Sequence, residues 1–149
     1  MFQGATALNL DAKGRLAIPA RHRDSLVAIS DGQLVLTAHP DRCLLLYPAP
    51  AWEPIRDKLL AAPSFNAHAT SLKRLLVGYA LDESLDSAGR LLIAPELRAF
   101  ARLEKQIRLV GQGSHFEIWD EGGWMRQMEE FSQSLGDRPL PPGLEDLAL

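Results

Sequence analysis

The sequence predicts a mixed α+β protein built from one unit used twice, and three observations carry that expectation. Asp11-Ala12-Lys13-Gly14-Arg15-Leu16-Ala17-Ile18 returns as Asp86-Ser87-Ala88-Gly89-Arg90-Leu91-Leu92-Ile93, 75 residues further on. Arg23 matches Arg98 at the same offset and Pro19 matches Pro95 with a slip of one, while Tyr47 pairs with Trp119 and Trp52 with Trp124 at an offset of 72. Two registers that agree in order along the chain point to a duplication, with a loop three residues shorter in the second copy. Within each copy, short runs with strand periodicity precede a longer stripe with helical periodicity.

The elements follow in order. Ala5 to Leu10 reads as a strand entering the first Asp-x-x-Gly-Arg turn, and Leu16-Ala17-Ile18 alternates apolar positions after it. Gly14 and Gly89 accept the positive φ of a tight reversal, and Asp11 and Asp86 can take backbone N–H bonds across it. Pro19 and Pro95 stand where a short helix can begin, so Arg21 to Ala28 and Glu96 to Leu103 are candidate helices. Leu34 to Thr37 with Cys43 to Tyr47, and Gln106 to Val110 with Phe116 to Trp119, read as two hairpins. Trp52, Ile55 and Leu59 then fall on one helical face, with Pro54 expected in the first turn, where its missing N–H does little harm. Trp124, Met128, Phe131 and Leu135 form a second stripe, expected to pack on the protein's own core. Gly136, Pro139, Pro141 and Pro142 predict a tail without regular structure from 136 to 149.

Composition narrows the function. The 149 residues, 46% hydrophobic and 23% charged, are those of an ordinary soluble globular protein. No run approaches the roughly 18 apolar residues of a membrane span, and the start lacks the basic-then-apolar order of a secretory signal. The single cysteine, Cys43, cannot form an internal disulfide, which suits a reducing cytoplasm. His22, His39, His68, His115 and Cys43 have no metal-ligand spacing, which argues against structural zinc. Asp82, Glu83 and Asp86 read equally as a magnesium site or a solvated loop. Ser114 and His115 are adjacent, but strand neighbours point to opposite faces, and no Gly-x-Ser-x-Gly or phosphate-binding loop is present. No catalytic constellation emerges.

The net charge of −3 hides an asymmetry: residues 1–76 carry +3 and residues 77–149 carry −6. Asp11 to Arg23 holds Lys13, Arg15, Arg21 and Arg23 against one acid. Local charge sets the potential that a phosphate backbone meets. The turns admit two readings. Each arginine either pairs with its own aspartate and pins the turn, or reaches a partner, where its planar fork suits guanine O6 and N7 while Lys13 suits phosphate. The second turn has Ala88 in place of Lys13, so the first is the stronger candidate for meeting DNA.

Met1-Phe2-Gln3-Gly4-Ala5, the paired Asp-x-x-Gly-Arg motifs, Leu44-Leu45-Leu46-Tyr47-Pro48 and Phe116-Glu117-Ile118-Trp119-Asp120 together resemble the MraZ family of bacterial transcriptional regulators, related to AbrB. The resemblance runs from Met1 to about Leu135. It implies a double-split β-barrel made of two AbrB-like repeats in one chain, residues 5–50 and 78–121. A helical connector (51–76), a C-terminal helix (122–135) and a flexible tail (136–149) complete the expected layout. It also implies a ring-shaped homo-oligomer that reads short tandem repeats of double-stranded DNA upstream of its own operon, in the division and cell-wall gene cluster, usually to repress it. The expected protein is cytoplasmic and nucleoid-associated, with no cofactor, metal, membrane or small-molecule substrate. Its DNA-binding residues are Asp11, Lys13, Gly14 and Arg15, flanked by Arg21 and Arg23, with Arg90 a lesser contributor. The competing expectation is an antitoxin-like protein-interaction module without catalysis of its own.

Overall fold

A computed structural model describes residues 1–135 and 138–149, so Gly136 and Asp137 of the expected tail lie outside the described residues. The elements are β1 (Ala5–Asn9), β2 (Arg15–Ala17), α1 (Ala20–Ser30), β3 (Gln33–His39), β4 (Cys43–Pro48), α2 (Ala49–Ala61), α3 (Ala67–Leu76), β5 (Leu81–Ser84), β6 (Arg90–Leu92), α4 (Pro95–Phe100), β7 (Gln106–Gly111), β8 (Phe116–Asp120) and α5 (Glu121–Leu135). The class is α+β, as expected. Helix α4 stops before its expected end because Arg102 takes φ 54, a left-handed value that no α-helix continues through.

Six strands form one antiparallel sheet in the order β1-β7-β8-β4-β3-β5, while β2 and β6 form a separate two-stranded ribbon. The sheet is open, with edges at β1 and β5, so the pairing does not close it into a barrel. Closure fails because the Asp-x-x-Gly-Arg turns lead the chain out of the sheet, and β2 and β6 then pair with each other. The order reads the same when β1 is exchanged with β5, β3 with β7 and β4 with β8. Four of the six strand pairings (β1·β7, β2·β6, β3·β5 and β4·β8) join the first half of the chain to the second. The three-residue shortening is not confined to one loop. Leu8 and Glu83 are 75 apart, yet their partners Ile107 and Leu34 are 73 apart, and Leu44 and Phe116 in the second hairpin strands are 72 apart.

The core lies between one sheet face, the ribbon, α1 and α4. Alternation places Leu34, Leu36, Leu44, Leu46, Ile107, Leu109, Phe116 and Ile118 on that face, against Leu16, Leu91, Ile18, Ile93, Leu26 and Leu97. Val35, Leu45 and Tyr47 point the other way, where Trp52 of α2 covers them. That cover explains why β4 is buried along its whole length and reads as an unbroken apolar run. On the same outer face Trp124 of α5 packs on Trp119, with ring centroids 6.0 Å apart, much as Trp52 meets Tyr47 at 5.7 Å.

Two helical expectations are corrected. Helix α2 starts at Ala49, so Pro54 lies inside it rather than in its first turn. The bond its N–H would donate to the carbonyl four residues back is therefore missing. The α5 stripe does not pack on the core beyond Trp124: Met128 and Phe131 are 37% and 53% exposed, as is the neighbouring Met125 at 57%. The polar Arg126, Gln127 and Glu130 of the helix line a cleft with Asp41, Arg42 and Arg102, and the Leu135 end of the stripe falls outside the described side chains.

Candidate nucleic-acid interface

The two turns have one construction. In the first, Asp11 Oδ1 accepts from the Lys13 and Arg15 backbone N–H groups at 2.9 Å each, and Oδ2 accepts from Arg15 Nε at 2.7 Å. In the second, Asp86 Oδ1 accepts from Ala88 and Arg90 N–H at 2.9 Å each, and Oδ2 from Arg90 Nε at 2.8 Å. These bonds favour the ionised carboxylates. Both aspartates are held below the usual carboxylate range, chiefly by the backbone N–H of the motif arginine; desolvation opposes this as the next largest influence, and the arginine side chain adds to the lowering. The same bonds draw each guanidinium back along its turn.

The aspartate does not exhaust its arginine. Only Nε is engaged, and among the described residues the four η N–H groups of Arg15 have no acceptor. Arg15 and Arg90 side chains are 27% and 37% exposed. Their backbones lie on the ribbon in a register that sets Arg15 opposite Leu92 and Arg90 opposite Ala17. Leu16 and Leu91 are fully buried on the inner side, so both arginines occupy the outer face as diagonal neighbours, about 7–8 Å apart. The pinning reading and the partner reading are therefore compatible. A two-stranded ribbon with guanidinium groups on its outer face fits the width of a B-DNA major groove.

The other expected residues are placed differently. Lys13 is exposed at the tip of the first turn. Gly14 is buried, at φ 80, and the Arg98 guanidinium lies over it so closely that a Cβ would stand 2.7 Å from Cζ. Gly89, at φ 75, lies beneath Arg23 in the same way, and Arg23 Nη1 donates to Ala88 O at 3.1 Å. Each turn is thus covered by an arginine from the other half. Arg23 is engaged at the second turn, not the first. Arg21 is exposed and turns toward His22, with Nε 3.3 Å from its Nε2, rather than toward the ribbon. Sequence reasoning missed Arg98, although its match to Arg23 was the available signal.

The remaining candidates do not assemble into a reactive site. Ser114 and His115 do meet, Oγ to Nδ1 at 3.0 Å, contrary to the expectation from strand geometry. Ser114 lies in the turn between β7 and β8, where alternation of faces does not apply, and the imidazole is stacked on Tyr47 at 4.5 Å. Cys43 is fully buried, and burial pushes its thiol far above the ordinary range, which makes it inert. Among the described residues, no three of His, Cys, Asp and Glu converge in a way that could hold a metal ion. Nor is any described helix long and apolar enough to cross a membrane.

Comparison with known proteins matches residues 1–75 and 77–138 to the MraZ protein family, whose description also carries the words "antitoxin-like". Three similar relatives, each named transcriptional regulator MraZ, come from Dechloromonas aromatica, Aromatoleum aromaticum and Methylobacillus flagellatus, at 65%, 61% and 59% identity. In all three cases the match covers 100% of both chains. A family match over nearly the whole chain, together with relatives this close and of equal extent, shows that this chain belongs to the MraZ family.

Proposed function

We propose that this chain is a sequence-specific DNA-binding transcriptional regulator, acting as a repressor of the division and cell-wall gene cluster that includes its own operon. The observation that carries the reading is the outer face of the ribbon: Arg15 and Arg90 both stand on it, each guanidinium held at Nε by its own aspartate, with Lys13 exposed on the first turn. The names of the relatives favour regulation of transcription. Arg15 reads guanine edges, Lys13 neutralises phosphate, Asp11 and Gly14 set the turn, Arg21 adds flanking charge, and Arg23 and Arg90, both at the second turn, contribute less, Ala88 there supplying no cation. Open sheet and ribbon together are the two parts of a double-split barrel, a reading favoured by the exchange symmetry of the strand order.

Tandem repeats of double-stranded DNA are engaged by a ring of identical subunits in the cytoplasm, at the nucleoid, without cofactor or catalysis. Two features support the ring. One subunit offers few cations, and tethering several raises binding about 100- to 10,000-fold through effective concentration. The uncovered Met125, Met128 and Phe131 face of α5 is apolar surface suited to a second copy. A gel-shift titration with DNA from upstream of its own gene, at two salt concentrations, tests the reading. Each neutralised phosphate adds about 0.9 to the slope of log affinity against log salt, so steep weakening is expected. Absence of binding at low salt would refute it and favour the antitoxin-like interaction module.

A further inference from the structure

The two turns are backed by equivalent clefts that differ in charge. Behind the first, Leu10, Asp11, Gly14, Arg98, Glu104 and Lys105 border a cleft of about 500 Å³. Behind the second, Arg23, Asp24, Asp31, Ser84, Asp86 and Gly89 border one of about 450 Å³. Two cations face two acids in the first cleft, whereas one cation faces three acids in the second. Asp11 is bonded to Arg15 and Asp86 to Arg90, which leaves Glu104 as the free acid of the first cleft and Asp24 and Asp31 as those of the second. On the neighbouring side of Arg98, Arg102 adds a further cation.

The covering arginines also differ. Arg23 has its acceptor in the Ala88 carbonyl. The Arg98 side chain makes no hydrogen bond among the described residues, and its Nε is buried without an acceptor. A buried donor left unmet is costly, and most such groups in native proteins are satisfied. Lys105 is fixed at the mouth of the same cleft because its carbonyl accepts from Leu10 N at 2.8 Å.

We propose that Arg98, with Lys105 beside it, binds a backbone phosphate of the DNA that the first turn reads. The proposal rests on the DNA-binding reading above. A phosphate oxygen in the cleft accepts from the η N–H groups of Arg98, which like its buried Nε have no acceptor among the described residues, while Asp24 and Asp31 turn the backbone away from the second cleft. The duplex is then seated on one side of the ribbon, which gives each subunit a fixed polarity along the DNA.

The test titrates the full chain against two labelled duplexes, one from upstream of its own gene and one scrambled, between about 50 and 200 mM salt. With Arg98→Gln, affinity is expected to fall equally on both duplexes, and the salt slope to become shallower by about 0.9 per engaged subunit. Lys105→Gln, at an exposed position, should act in the same direction. Arg56→Gln removes the same charge from α2 and should leave the slope alone. A folded Arg98→Gln protein with the wild-type slope overturns the proposal, because a residue that only braces the turn changes affinity and not the count of phosphates. Should Arg98→Gln fail to fold, an unchanged slope in Lys105→Gln overturns it equally, as does an Arg56→Gln slope that shifts as much. If wild type binds neither duplex at low salt, the DNA-binding reading itself fails.

Discussion

One aspartate in each turn bonds three N–H groups, two of the backbone and one of the motif arginine, and so fixes turn and guanidinium together. Arg15→Ala separates the two roles: if Arg15 reads a guanine, binding falls by about 1–3 kcal/mol per site and sequence preference relaxes. Its thermal unfolding should shift little, since partly exposed ion pairs contribute little. A mutant that loses stability but keeps its preference would show that Arg15 only pins the turn. Because Asp11 and Asp86 ionise more readily folded than unfolded, their contribution is complete above the ordinary value of 3.8 and is lost as pH falls through their lower folded values. Carboxyl titration followed by NMR should therefore give both midpoints below 3.8; a midpoint at or above it contradicts the hydrogen-bonded turn. The aspartate–arginine pairing was legible in the sequence because it is local, spanning four residues. The cover that Arg98 places on Gly14 was not, because it depends on two halves meeting in space.

Among the elements, α5 departs most from its periodicity. Its stripe marks the helix correctly, but a stripe says only that one face is apolar, not what lies against it. Trp124 meets Trp119, while Met128 and Phe131 beyond it are left uncovered. Met128→Glu combined with Phe131→Glu should yield folded subunits of smaller mass by light scattering, with DNA affinity lowered about 100- to 10,000-fold. Dissociated, folded subunits that bind as tightly as wild type would sink the ring. The position of Pro54 was misjudged for a related reason. Pro48 and Pro50 offer an earlier start, and the burial of Trp52 holds the helix together across the bond that Pro54 removes. Strands were easier to place, since alternation and the turn residues between them act over short distances.

At the scale of the molecule, most strand pairing crosses between halves. Neither half carries a partner for its own first strand: β1 pairs with β7 and β5 with β3. Fragments 1–76 and 77–149 expressed separately should therefore stay unfolded by circular dichroism and recover a cooperative transition when mixed; a half that folds alone contradicts the interleaving. Repetition was plain in the sequence, yet nothing in it said which strands would be exchanged, because both halves offer equivalent partners. Interleaving also bears on how the two turns can differ. In an assembly of two identical chains, any substitution strikes both bends at once. Here the bends are encoded separately, so alanine at position 88 spares the lysine at 13. Covalent union thus lets one bend drift toward a purely architectural part while its twin keeps the contact chemistry, a division of labour closed to a symmetric pair.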